Sequence, residues 1–197
     1  MILIRSPVET GALSGEPRHD AIHRTLGTAT HAAKAVLIAG ANGAGKTTFA
    51  RNVLPLVHSG CTFLNADEIQ REDAAFSTPA AAGRELLRRL AELVSQRLSF
   101  ALETTLSSRM YARDIPAWRA AGYQVWFYFL EAPSADFAVK RVAERVASGG
   151  HGIPEPDIRR RFARGVALFP SYRSLADVWY HFRVDEKGPT LVAKKEP

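Results

Sequence analysis

Eight consecutive residues carry the clearest chemical signal in this 197-residue chain: Gly40-Ala41-Asn42-Gly43-Ala44-Gly45-Lys46-Thr47, which fits G-x-x-x-x-G-K-[ST]. Glycine lets successive backbone N–H groups turn inward onto phosphate oxygens. Lys46 supplies a charge that reaches the β- and γ-phosphoryl groups, and the Thr47 hydroxyl is the expected Mg²⁺ ligand. With Thr48 the loop passes into a helix whose positive N-terminus faces the same anion. The pattern arises by chance in about one chain of this length in a hundred. Its setting is also right, with the apolar run Ala35-Val36-Leu37-Ile38-Ala39 before it and a helix-compatible stretch, 48–54, after it. A glycine-rich turn with no ligand is the weaker reading. The loop is expected to bind a nucleoside triphosphate.

Phosphoryl transfer needs more than a loop. A carboxylate must orient or deprotonate the acceptor hydroxyl, and cations must balance charge on the moving group. Asp67 follows a second candidate strand in Phe63-Leu64-Asn65-Ala66-Asp67-Glu68, and Glu103 closes a third, Phe100-Ala101-Leu102-Glu103. In an open parallel sheet both fall on the ligand-binding edge with the loop. The bland reading of each is a helix cap or a solvated carboxylate. Glu103 also keeps two functional readings, substrate contact or ligand to a Mg²⁺-bound water. Arg141 and Arg145 lie four apart on one candidate helix, Gly149-Gly150-His151-Gly152 makes a mobile connection, and 158–169 reads as a second helix that opens with Arg159-Arg160-Arg161. This pattern suggests a lid over about 141–165. Arg145 and one of Arg159 or Arg160 are expected to face the phosphates. Arg161 and Arg164 read as a solvated face.

The elements that must hold these residues follow from periodicity. Further strands are expected at 62–65, 99–103, 124–130 and 177–182. Between them, 84–98 sets Leu86, Leu90, Leu93, Val94 and Leu98 on one helical face, and Ser134 can cap a helix that runs to Ala147. Strands alternating with helices define an α/β fold with a parallel sheet covered on both faces. Hydrophobic residues make up 46% and charged residues 23%, so disorder and low-complexity sequence are excluded as the main state. The single Cys61 cannot form an internal disulfide. No apolar run approaches the ~18 residues of a membrane helix, and the start of the chain lacks a signal-peptide pattern. A cytoplasmic protein with no membrane partner is therefore expected. The net charge of +6 favours acidic or phosphorylated partners. Nucleic acid is not the expected one, because Trp126-Phe127-Tyr128-Phe129 reads as core and not as a basic stacking surface. Residues 1–33 read as a partly disordered extension to a kinase domain at 34–197. Within the extension, 17–26 is a short candidate helix, with His19 and His23 as solvent-facing histidines and not metal ligands.

Four stretches together resemble the zeta toxin family of P-loop kinases, in particular its chromosomal zeta-like members. They are 37–48, Asn65-Ala66-Asp67-Glu68, Phe100-Ala101-Leu102-Glu103-Thr104-Thr105, and 145–154 followed by Ile158-Arg159-Arg160-Arg161-Phe162. The resemblance covers about 34–183. It implies a P-loop NTPase fold of nucleoside-kinase type, with five parallel strands, flanking helices and a helical lid. The implied activity is transfer of phosphate from ATP or GTP with Mg²⁺ to the 3′-hydroxyl of the amino sugar in UDP-N-acetylglucosamine. By the same resemblance Asp67 is the general base, residues 40–48 hold the nucleotide, Glu103 and Thr104 contact substrate, and Arg145 and Arg160 are the lid arginines. An antitoxin-like inhibitor protein is the implied partner. Transfer to another nucleotide, a metabolite or a polynucleotide end is the alternative, and a non-catalytic NTP-binding switch stands behind that. Three features depart from the family pattern. The ending His181-Phe182-Arg183-Val184-Asp185-Glu186 differs from that of relatives, Pro116 is expected to interrupt the helix after Thr105, and 1–33 has no family counterpart.

Overall fold

The computed structural model describes residues 32–196, so the candidate helix at 17–26 and His19 and His23 lie outside the described residues. The central strand β1 (Lys34–Gly40) is buried on both faces because its side chains are apolar at every position after the first. Ala35, Leu37 and Ala39 point into one core layer, and Val36 and Ile38 into the other. β1 pairs in parallel with β3 (Phe100–Thr104) on one side and with β4 (Gln124–Glu131) on the other. β2 (Thr62–Leu64) and β5 (Val178–Asp185) extend the sheet outward, again in parallel. These are the five parallel strands expected.

A sixth strand was not foreseen. β6 (Gly188–Lys195) runs antiparallel along β5, giving the order β2-β3-β1-β4-β5-β6. The departing segment 181–186 therefore completes β5 and turns back. Asp185 Oδ1 closes that turn by accepting from the N–H groups of Lys187 (2.7 Å) and Gly188 (3.1 Å).

One face of the sheet carries α1 (Lys46–Val57), through Phe49, Ala50 and Leu54. The other is covered by α3 (Pro79–Ser95), α4 (Met110–Ala120) and α6 (Glu155–Leu175), through Leu86, Leu90, Ile115, Trp118 and Tyr172. The short α2 (Ala66–Glu72) follows β2, and α5 (Ala135–Ala147) packs with the start of α6 beside the glycine loop. Ser134 caps α5 as expected, accepting from Phe137 N at 3.0 Å. α3 starts ahead of the expected 84 because Thr78 caps it, at 3.1 Å from Ala81 N, and Pro79 opens its first turn. α6 likewise starts before 158, with Pro156 and the acids Glu155 and Asp157 in its first turn. Pro116 does not interrupt its helix: α4 runs through it to Ala120. Among the described residues no helix is long and apolar enough to cross a membrane.

Candidate active site

The strand register sets the site. Ala39 of β1 lies beside Thr104 of β3, and Gly40 beside Leu130 of β4, so the glycine loop and Glu103 share the C-terminal edge of the sheet. Gly40 has no room for a side chain, since a Cβ there would stand 2.4 Å from the Leu130 carbonyl oxygen. Gly43 and Gly45 adopt φ of +79°, which turns the loop amides inward. α1 has no side-chain cap and no acid in its first turn, leaving its N-terminal N–H groups for an anion.

Two cavities open on this edge. The smaller, about 240 Å³, is lined by Gly43, Gly45, Lys46, Thr47, Thr48, Arg141 and Arg145, with Asn42, Asp67 and Glu103. The larger, about 710 Å³, is walled by α2, α3, β3 with its following loop, the 151–154 connection and α6. Asn42, Lys46, Asp67 and Glu103 line both. The Lys46 ammonium is 6% exposed, donates to the Ala41 carbonyl at 2.9 Å and lies 3.6 Å from Glu103 Oε1. Burial lowers its pKa, outweighing the pull of Glu103 and Asp67 in the other direction. Thr47 Oγ1 donates to Glu103 Oε2 at 2.7 Å. A hydroxyl and a carboxylate in contact are hard oxygen donors, few in number, which suits a cation that keeps most of its waters; the residues present fit Mg²⁺.

Asp67 caps nothing. Among the described residues its carboxylate has no hydrogen-bond or ion-pair partner, while its backbone N–H donates to Asn65 Oδ1 at 2.7 Å. Thr104 lines the larger cavity, and its Oγ1 also accepts from Leu106 N at 3.1 Å. Arg145 lines the smaller cavity, donates to the His151 carbonyl at 2.7 Å through Nη2 and leaves its buried Nε unpartnered. The chain passes close over it at Gly150, where a Cβ would stand 2.6 Å from Arg145 Cγ.

The structure does not bring Arg160 to this edge. Its guanidinium pairs with Asp157 at 2.7 Å, and Arg159 pairs with Asp136 and Glu155, each at 2.7 Å. Neither lines a cavity of the site. Arg161, read from sequence as solvated, does: it lines the larger cavity and approaches Asn42 Oδ1 at 3.4 Å. The reason is helical phase. Ile158 is buried against α5, and from there Arg161 falls on the cavity side of α6, whereas Arg159 turns to Asp136 at the start of α5 and Arg160 back to Asp157. Spacing alone does not separate the arginines: with Ile158 and Phe162 as the buried anchors, Arg159 and Arg161 stand about equally far from that face.

The fold and the site together define a P-loop kinase. A family profile described as Zeta toxin matches residues 20–169, and the chain belongs to that family. The match begins inside the stretch read as an extension. An uncharacterized protein of Haemophilus influenzae is 25% identical over 135 residues, 66% of this chain and 92% of the relative. Two structural neighbours share the fold at low identity. A chain from the PezAT chromosomal toxin–antitoxin system of Streptococcus pneumoniae superposes with a TM-score of 0.61 at 15% identity, covering 83% of this chain and 72% of that one. A chain from the AvrRxo1-ORF1:-ORF2 complex with ATP gives 0.64 at 20% identity. That match covers 82% of this chain and 58% of the other, which is therefore considerably longer.

Proposed function

We propose that the protein transfers the γ-phosphoryl group of ATP to the 3′-hydroxyl of the amino sugar of UDP-N-acetylglucosamine, with Asp67 as the general base. The observation that carries this reading is the junction of the two cavities, where Asp67 presents an unpaired carboxylate beside Lys46 and Glu103. A phosphate donor in the smaller cavity and an acceptor in the larger would meet there. The larger cavity is of ligand size. It carries Arg84 and Arg161, which suits an acceptor that already bears phosphates, and the hydroxyls of Thr104, Thr105 and Ser107, which suit a sugar.

In the mechanism that follows, the loop amides and Lys46 hold the β- and γ-phosphoryl oxygens. Thr47 and, through water, Glu103 would hold the Mg²⁺, whose charge offsets that of the same oxygens. Asp67 accepts the proton of the sugar hydroxyl as its oxygen bonds to the γ-phosphorus and the bond to the ADP oxygen breaks. Arg145 balances charge on the moving group, and Arg161 takes the second lid position in preference to Arg160. Membership of the family supports this substrate, and a structure neighbour solved with ATP supports the donor. An inhibitor protein as partner is supported by neighbours drawn from a toxin–antitoxin system and from a two-chain complex.

The test is transfer of label from γ-labelled ATP with Mg²⁺ to a panel of acceptors that includes UDP-N-acetylglucosamine. Asp67→Ala is expected to lower transfer by at least ~10²-fold, the scale of a lost general base, while ATP affinity stays within a few-fold. Label moving only to other acceptors would leave the kinase and remove the substrate.

A further inference from the structure

Asn65 sits between the donor and acceptor halves of the site, and the proposal that follows rests on the phosphotransfer reading above. It is 5% exposed, and both ends of its amide are in use. Oδ1 accepts from the N–H groups of Asp67 (2.7 Å) and Glu68 (3.3 Å), which makes Asn65 the cap of α2. Nδ2 donates to Glu103 Oε2 at 2.8 Å and approaches Thr47 Oγ1 at 3.5 Å. The bonding itself fixes which end is which. Backbone N–H groups only donate, so the atom facing them is the oxygen and the amide nitrogen is left for the carboxylate.

One side chain thus touches three parts of the site. It starts the helix turn that carries Asp67, holds the Glu103 carboxylate, and stands beside the Thr47 hydroxyl that the same carboxylate accepts from at 2.7 Å. A helix cap alone asks only for an acceptor, and Ser, Asp and Asn serve about equally well. The donating half of this amide is surplus to capping. We propose that Asn65 is a positioning residue: its amide nitrogen fixes Glu103, and with it Thr47, relative to the turn that presents Asp67. Donor-side and acceptor-side groups are thereby held in one register before either substrate binds.

Two substitutions separate this role from capping in the full chain. Asn65→Ser keeps a cap and removes the reach to Glu103. Asn65→Asp keeps cap and shape but turns a carboxylate toward Glu103. Asn65→Ser is expected to melt within a few degrees of the wild type, and Asn65→Asp lower but still folded, because its carboxylate is buried against Glu103. Both should lower kcat by roughly ten- to a hundred-fold, the scale of one hydrogen bond to a charged group, with the acceptor KM changed less than about threefold. The gain in ATP affinity on replacing EDTA with Mg²⁺, read by titration calorimetry, should also shrink in Asn65→Ser, which loses the hold on Glu103 without adding an oxygen donor of its own beside it. Wild-type kcat in both variants and an intact Mg²⁺ gain in Asn65→Ser would overturn the proposal and leave Asn65 a cap. Loss of folding in both would overturn it as well, since the residue would then act through stability. If the wild type itself phosphorylates no nucleotide sugar, the proposed reaction fails separately, and the Mg²⁺ gain alone decides for or against Asn65.

Discussion

At the scale of single residues, burial lowers the pKa of two basic side chains that differ in the partners they meet. Lys46 is buried, which lowers its pKa, while the carboxylates of Glu103 and Asp67 oppose that shift and favour the ammonium that a phosphate would meet. His58 is 2% exposed beneath Trp126 and Tyr128, with Nε2 2.7 Å from the Tyr128 hydroxyl and Nδ1 unpartnered. Burial, helped by the Lys34 charge, pushes its pKa from 6.5 down to about 4. The fold therefore favours neutral imidazole, and between those pH values the unfolded chain binds more protons. Stability is fully present above pH 6.5 and declines as pH falls toward 4, by about 3 kcal/mol from this group. Urea unfolding at pH 7 and at pH 4 should show that difference in the wild type. In His58→Gln this share of the pH dependence should disappear, and an unchanged pH dependence would refute the assignment.

At the scale of elements, the arginine cluster at the start of α6 shows what helical phase decides. Arg159, Arg160 and Arg161 are one residue apart, yet only Arg161 lines the larger cavity. Arg161→Ala is expected to lower kcat/KM at least ~10-fold, and Arg160→Ala to stay within about twofold, because exposed pairs such as Arg160–Asp157 contribute ~0–1 kcal/mol. Steady-state kinetics of the two variants with ATP and the nucleotide sugar checks this. The reverse ranking would return the role to Arg160. Sequence made the loop, the five parallel strands and the two carboxylates legible, because each is a local pattern in the chain. Phase within 158–169 was not legible without knowing that Ile158 faces α5. β6 was missed for another reason. Four consecutive residues of it, Pro189 to Val192, are exposed, so it lacks the alternation that marks a half-buried strand.

At the scale of the whole molecule, the larger cavity is assembled from positions as far apart as Gln70, Arg84, Tyr111 and Arg161, which no local reading of the chain could join. Where the two cavities meet, Asn42, Lys46, Asp67 and Glu103 serve both. This shared partition has a consequence for the order of events during turnover. Under the proposed reaction neither chamber would have to empty before the other fills, so both substrates would reside on the protein at once and the phosphoryl group would cross in a single step. Initial rates measured against ATP at several fixed concentrations of nucleotide sugar should then give reciprocal plots whose lines intersect. Parallel lines would instead make a side chain of the partition, Asp67 or Glu103, a covalent carrier that is phosphorylated and then relieved.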